Sequence, residues 1–184
     1  MRFSLAQILP QAWKNGGGST RELARASATG QDEGQMVWRA SLAQINQDGA
    51  FSAFPDYRRI HCIVSGGGLC LTNADVQLRA DPLQPLFFDG GLDLVAQLQD
   101  GPCEAFNLIY DPNQIRPEMQ ICGLGLHQFG DATHLVFVLE GELRLETSEG
   151  VEHLSAGEGW QGEASGVAHI AQDGRAVLLR LEHL

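Results

Sequence analysis

Short runs of alternating side-chain character, repeated from one end of the chain to the other, restrict its fold more than any other feature. Successive side chains of a strand point to opposite faces, so a period of two marks strands as 3.6 marks helices. Met36, Trp38, Ala40 and Leu42 share one face; Val37, Arg39, Ser41 and Ala43 share the other. Ile60, Cys62 and Val64 alternate with Arg59, His61 and Ile63, and Leu92, Leu94, Ala96 and Leu98 with Asp93, Val95 and Gln97. Phe106, Leu108 and Tyr110 alternate with Ala105, Asn107 and Ile109. Runs at 133–139, 142–147, 167–171 and 175–182 read the same way. Residues 4–9 offer one short helical turn, ended by Pro10. Gly, Asp and Pro stand between the runs, with Gly at 22 of 184 residues, so an all-β sandwich or barrel is expected.

A faint internal echo refines this. Arg59 to Val64 leads through Gly66-Gly67-Gly68 into Leu69-Cys70-Leu71, and Leu135 to Leu139 leads through Gly141 into Leu143-Arg144-Leu145. The second copy, followed by Leu154-Ser155-Ala156-Gly157-Glu158-Gly159-Trp160, resembles a cupin motif. Two small antiparallel jelly-roll barrels in one compact unit, a bicupin, would account for the echo and for the lack of a linker. One larger sandwich is the alternative. The expected division is 1–110 and 111–184, with an approximate boundary and room for strands exchanged between the barrels.

Bulk properties narrow the partners. Apolar residues make up 43% and charged residues 19%, the balance of a folded domain rather than a disordered one. A net charge of −11 argues against nucleic acid and against an anionic membrane surface, and no apolar run approaches the roughly 20 residues that span a bilayer. The first residues lack the apolar core of a signal peptide. Cys62, Cys70, Cys103 and Cys122 show no metal spacing, so buried reduced thiols and a cytoplasmic location are expected.

The densest chemistry lies at Trp13-Lys14-Asn15-Gly16-Gly17-Gly18-Ser19-Thr20-Arg21-Glu22-Leu23. A glycine run between polar donors invites a phosphate-loop reading, but the lysine precedes the glycines and the P-loop spacing is missing. Nucleotide hydrolysis is therefore rejected; binding of an oxyanion by backbone N–H groups stays open. Asn15 either serves a ligand or caps the turn. Thr20 begins a strand or a short helical turn and offers a hydroxyl, while Arg21 and Glu22 can simply pair in solvent.

This stretch closely resembles the signature of the HutD/Ves family. Trp38-Arg39-Ala40-Ser41-Leu42-Ala43-Gln44-Ile45, Asp48-Gly49-Ala50-Phe51-Ser52-Ala53-Phe54-Pro55 with Arg59, and Ala105-Phe106-Asn107-Leu108 resemble further family motifs in the same order. The likeness is strong over 9–61, fair to about 110, and generic for cupins beyond. It implies a cytoplasmic bicupin that binds a small carboxylate of histidine breakdown, N-formylglutamate or urocanate, and moderates histidine utilisation, with no cofactor. Two positions depart from the family: Asp56 stands where Gly is usual, and Ala105 where Asp is usual.

Side chains expected around the ligand are Lys14, Asn15, Thr20, Arg39, Ser41, Ser52, Phe54, Arg59, His61 and Asn107. Arg39 and Ser41, Arg59 and His61, and Asn107 give three strands a polar face, which lines a barrel lumen or else faces solvent. Arginine presents a planar fork suited to a carboxylate, and two of them with Lys14 suit a dicarboxylate. Phe51, Phe54 and Trp13 supply apolar walls or ordinary core. A metal is not expected; the alternative is His127, His134 and His169, an incomplete cupin ligand set. No nucleophile elbow appears, and Cys62 and His61, as neighbours in a strand, point apart.

The competing reading is a small cupin enzyme, a hydrolase or isomerase on a related carboxylate with Lys14 or His61 as acid–base group. A third is a scaffold or stress-linked protein with a vestigial pocket. A barrel face also offers a surface for self-association, so a homodimer is entertained.

Overall fold

The computed structural model describes residues 1–29 and 33–184, and almost every regular element in it is a strand. Strand β1 (Arg2–Ser4) and one 3-10 turn (Leu5–Gln7) open the chain. There follow β2 (Gln11–Ala12), β3 (Gly18–Ser27), β4 (Met36–Ile45), β5 (Gly49–Phe51), β6 (Arg58–Ser65), β7 (Leu69–Thr72), β8 (Gln77–Ala80), β9 (Leu86–Asp89), β10 (Leu94–Leu98) and β11 (Cys103–Tyr110). The rest of the chain forms β12 (Ile115–Cys122), β13 (Gly125–Phe129), β14 (Thr133–Glu140), β15 (Glu142–Thr147), β16 (Gly150–Ser155), β17 (Glu158–Gly162), β18 (Gly166–Ile170) and β19 (Arg175–His183).

Two compact units result, one of Ile8–Gln114 and one of Met1–Gln7 with Ile115–Leu184. In the first, a sheet of order β2-β3-β4-β11-β6-β9 faces a sheet of order β5-β10-β7-β8. Their shared core joins Ile45, Ile63, Cys103, Ala105 and Phe88 of the larger sheet to Phe51, Leu69, Leu71, Leu94 and Ala96 of the smaller. The second unit repeats the plan with sheets β1-β17-β14-β19-β12 and β13-β18-β15-β16. Val136, Val138, Trp160 and Leu178 there meet Phe129, Leu143, Leu145 and Ile170. Burying one face of each sheet between two layers is what period-2 patterning demands. The architecture is the all-β, antiparallel bicupin plan.

The internal echo corresponds to one structural event in each unit. The Gly66–Gly68 turn carries the chain from β6 in the larger sheet to β7 in the smaller, and Gly141 carries it from β14 to β15 in the same sense. The four cysteines are free and buried. Burial pushes the thiols of Cys62 and Cys103 up to about 11, which leaves them un-ionised at neutral pH. Among the described residues no helix is long and apolar enough to cross a membrane.

Two departures from the family pattern have structural outcomes. Phe54-Pro55-Asp56-Tyr57 is a turn closed by Tyr57 N–H to Phe54 O at 3.3 Å, with Asp56 at φ 69°. Proline second and a positive φ third are the type II pattern, where glycine is the easiest residue and Asp is tolerated. The turn is thus kept without its glycine. Ala105 is fully buried in the core between the sheets.

Candidate functional site

The antiparallel ladders of β4, β11 and β6 bring inward-pointing side chains together in rungs. Arg39, Ile109 and Arg59 form one rung; Ser41, Asn107 and His61 form the next; Ala43, Ala105 and Ile63 form a third that leads into the core. Strand β3 lengthens the second and third rungs by Glu22 opposite Ser41 and Thr20 opposite Ala43. Ser41, Arg59, His61 and Asn107 are buried, as are Trp38, Ala40, Leu42, Ile60 and Phe106 on the reverse face, so the polar face does not lie on a solvated exterior.

These rungs floor a cavity of about 650 Å³ in the Ile8–Gln114 unit. All ten side chains expected around the ligand line it. Ser41, Arg59, His61 and Asn107 are buried, whereas Lys14, Asn15 and Ser52 are exposed. Phe51 lies under Arg59, whose Cζ is 4.3 Å from the ring centroid, and Phe54 stands 5.3 Å from Arg39 Cζ and 5.5 Å from Arg59 Cζ. A cation over an aromatic face is attracted to the ring quadrupole.

Arg59 is fixed on three sides. Nη1 donates to Ser52 O at 3.0 Å, Nη2 donates to Asn107 Oδ1 at 2.9 Å, and the guanidinium carbon lies 4.3 Å from the Phe51 ring centroid and 5.5 Å from that of Phe88. Burial, helped by the charge of Arg39, pulls its guanidinium down to about 9, still cationic at neutral pH. The Nε atoms of Arg39 and Arg59 are buried without hydrogen-bond partners among the described residues, and no carboxylate there lies within ion-pair distance of either arginine. His61 sits edge-on to Phe51, with Nδ1 2.7 Å from Asn107 Oδ1. Burial first, and the Arg59 charge after it, outweigh the Asn107 hydrogen bond and lower its pKa to about 4, so the ring is neutral.

The glycine run builds one wall. Gly16 N–H donates to Trp13 O at 3.0 Å, and Gly17 N–H to Asn15 Oδ1 at 2.9 Å. Gly16 has φ 70°, and a Cβ on Gly18 would run into the Gln44 carbonyl oxygen and the Trp13 ring. The run is therefore the β2–β3 hairpin turn, seated under Trp13. Two of its N–H groups are consumed within the turn, which removes them from the oxyanion reading. Asn15 takes the capping role while still lining the cavity. Trp13 Nε1 donates to Thr20 Oγ1 at 2.8 Å, which holds the Thr20 hydroxyl in place on β3.

Arg21 and Glu22 do not pair: Arg21 Nε donates to Ile8 O at 3.1 Å, and Glu22 lines the cavity. Glu22 and Asp93 are lining carboxylates that the sequence reading leaves out. For Glu22 the signal was present, since it lies two residues beyond Thr20 on the same face.

The three-histidine alternative is not assembled. His127 and His169 lie on opposite faces of their sheet, because His127 is opposite Ala168 and His169 opposite Leu126. His127 Nε2 donates to Gly123 O at 2.8 Å and His134 Nε2 to Gly130 O at 2.7 Å, while His169 Nε2 is 3.0 Å from Glu146 Oε1. No cluster of three metal-binding side chains occurs among the described residues.

Known proteins resemble this chain in sequence or in fold. A Pseudomonas putida protein described as an uncharacterized 21.2 kDa protein in the hutC 3′ region is 37% identical over 62% of this chain, and the match spans 60% of that protein. Protein Ves of Escherichia fergusonii is 30% identical over 76% of this chain and 72% of its own. The structure of HutD from Pseudomonas fluorescens SBW25, from a formate condition, superposes with a TM-score of 0.83 at 30% identity, covering 100% of this chain and 98% of that one. An oxalate decarboxylase of Lactobacillus farciminis, 10% identical with a TM-score of 0.65 over 98% of this chain and 85% of that one, shares the cupin fold alone. The HutD family model matches residues 6–179, and the chain belongs to the HutD family.

Proposed function

We propose that the cavity of the Ile8–Gln114 unit binds a small carboxylate of histidine breakdown, N-formylglutamate or urocanate, and that through this binding the protein moderates histidine utilisation in the cytoplasm. The context comes from the family and from the relative named for the hutC region. The observation that carries the carboxylate is the pair of arginines on one rung, each with a buried Nε that lacks an acceptor. A buried guanidinium N–H without a partner costs free energy that an incoming carboxylate oxygen returns. Lys14 adds a third cation at the exposed rim.

Binding is favoured over turnover by His61. A general base works best with a pKa near the working pH, and burial holds His61 at about 4. Calorimetric titration with N-formylglutamate, urocanate, histidine and glutamate tests the reading. Saturable binding of one of the first two, lost in Arg59→Met, is expected. No binding of any of the four at millimolar concentration overturns it.

A further inference from the structure

The hydrogen bonds around Asn107 determine which atom of His61 is left unused. Arg59 Nη2 and His61 Nδ1 both meet Asn107 Oδ1, at 2.9 and 2.7 Å. A guanidinium only donates, so the amide atom facing it is the oxygen. The other amide atom agrees, since Nδ2 donates to Ala105 O at 3.3 Å. An amide oxygen only accepts, so His61 Nδ1 carries a proton. A neutral imidazole carries one, and the tautomer is therefore Nδ1–H with a lone pair on Nε2. That atom is buried, in a ring that lines the cavity, and has no partner among the described residues.

A bare carboxylate satisfies the arginine Nε donors and leaves Nε2 empty, because it offers acceptors only. Glu22, on the same rung through Ser41, is a further acceptor in the lining. The cavity thus holds unmet donors and an unmet acceptor together. The geometry points to a ligand that joins an anionic group to an N–H or O–H donor: the anion meets Arg39 and Arg59, and the donor hydrogen meets His61 Nε2. His61 is then a specificity-determining residue that selects N-acyl amino acids and N–H heteroaryl acids over alkanoates and alkanedioates of the same charge. This rests on the carboxylate reading of the same cavity and goes beyond it by naming the second group.

Two matched probe pairs test it, each differing by N–H against O: N-formyl-L-glutamate with 2-formyloxyglutarate, and pyrrole-3-acrylate with furan-3-acrylate. Calorimetric titration of the whole chain is expected to show the N–H member of at least one pair binding more tightly by about tenfold or more. Equal affinity within every pair that binds overturns the donor requirement and leaves the carboxylate reading standing. No binding by any of the four overturns the donor requirement, and with no binding of urocanate either it overturns the carboxylate reading as well. Long-range ¹H–¹⁵N spectra of the free protein supply a measurement independent of any ligand. The Nδ1–H pattern for His61 is expected, and an Nε2–H pattern overturns the inference.

Discussion

Arg39 and Arg59 stand on either side of Ile109 on one rung of the larger sheet of the Ile8–Gln114 unit, and the Phe54 ring centroid lies within 5.5 Å of both guanidinium carbons. Adjacent strands are about 4.8 Å apart, which puts the two backbones about 10 Å from each other. Two like charges held this way, with no carboxylate within ion-pair distance among the described residues, make the empty cavity electrostatically costly and an anion its natural complement.

Arg59→Met separates binding from folding. The variant removes the hydrogen bonds to Ser52 O and Asn107 Oδ1 together with the buried charge, so urea unfolding is expected to show a loss of about 1–3 kcal/mol with a folded protein remaining. At 100 times the dissociation constant a ligand stabilises by about 2.7 kcal/mol, and this increment is expected to vanish in the variant. A retained increment would show that the anion sits elsewhere.

The protein is expected to lose stability as pH falls from about 6.5 toward about 4. In that window the unfolded chain protonates this histidine and the folded chain, with His61 held at about 4, does not, so protons favour unfolding. The loss attributable to His61 is about 3 kcal/mol over the window and stops below it, where both states are protonated. Urea titrations across this range on the wild type and on His61→Gln check it. The variant is expected to show a flatter profile, and an identical slope would assign the effect to other groups.

Asp56 and the glycine run give contrasting substitutions. Asp56→Gly is expected to be neutral or to stabilise by about 0.5 kcal/mol, and Asp56→Val to cost about 1–2 kcal/mol, because only the branched side chain is incompatible with φ 69°.

Gly16→Ala is expected to cost about 1 kcal/mol from its positive φ, since nothing lies within 4 Å of the added Cβ. Gly18→Ala is expected to cost more, about 2–3 kcal/mol, because the added carbon meets the Gln44 backbone and the Trp13 ring. Denaturation midpoints of the four variants give the order directly.

The floor of the site was legible because β4, β6 and β11 are long strands whose central polar residues fall on one parity, with the opposite-parity Gln44, Arg58, Glu104 and Tyr110 confined to the strand ends. Arg39, Ser41, Arg59, His61 and Asn107 therefore line up from sequence alone. What alternation does not reveal is whether a polar face is solvated or enclosed; here both faces of these strands are buried, which needs the tertiary arrangement to appear. Glu22 was hidden by its neighbour Arg21, which invited a solvent ion pair. Alternation over 92–98 puts Asp93 on the face opposite the core residues Leu94 and Ala96, and its place in the cavity lining, just before β10, needs the tertiary arrangement to appear. Strand β12 buries Ile115, Met119 and Cys122, a spacing closer to a helix than to a strand, and its pairing with β19 overrides it. The alternative set of His127, His134 and His169, drawn from incomplete cupin ligand positions, is broken by the β13–β18 register, which sends His127 and His169 to opposite faces.

A crystal structure of the protein grown with N-formylglutamate or urocanate decides where the carboxylate binds. Ligand density is expected in the cavity of the Ile8–Gln114 unit, with carboxylate oxygens within hydrogen-bond distance of the Arg39 and Arg59 side chains. An empty cavity with the carboxylate bound elsewhere on the chain would contradict it.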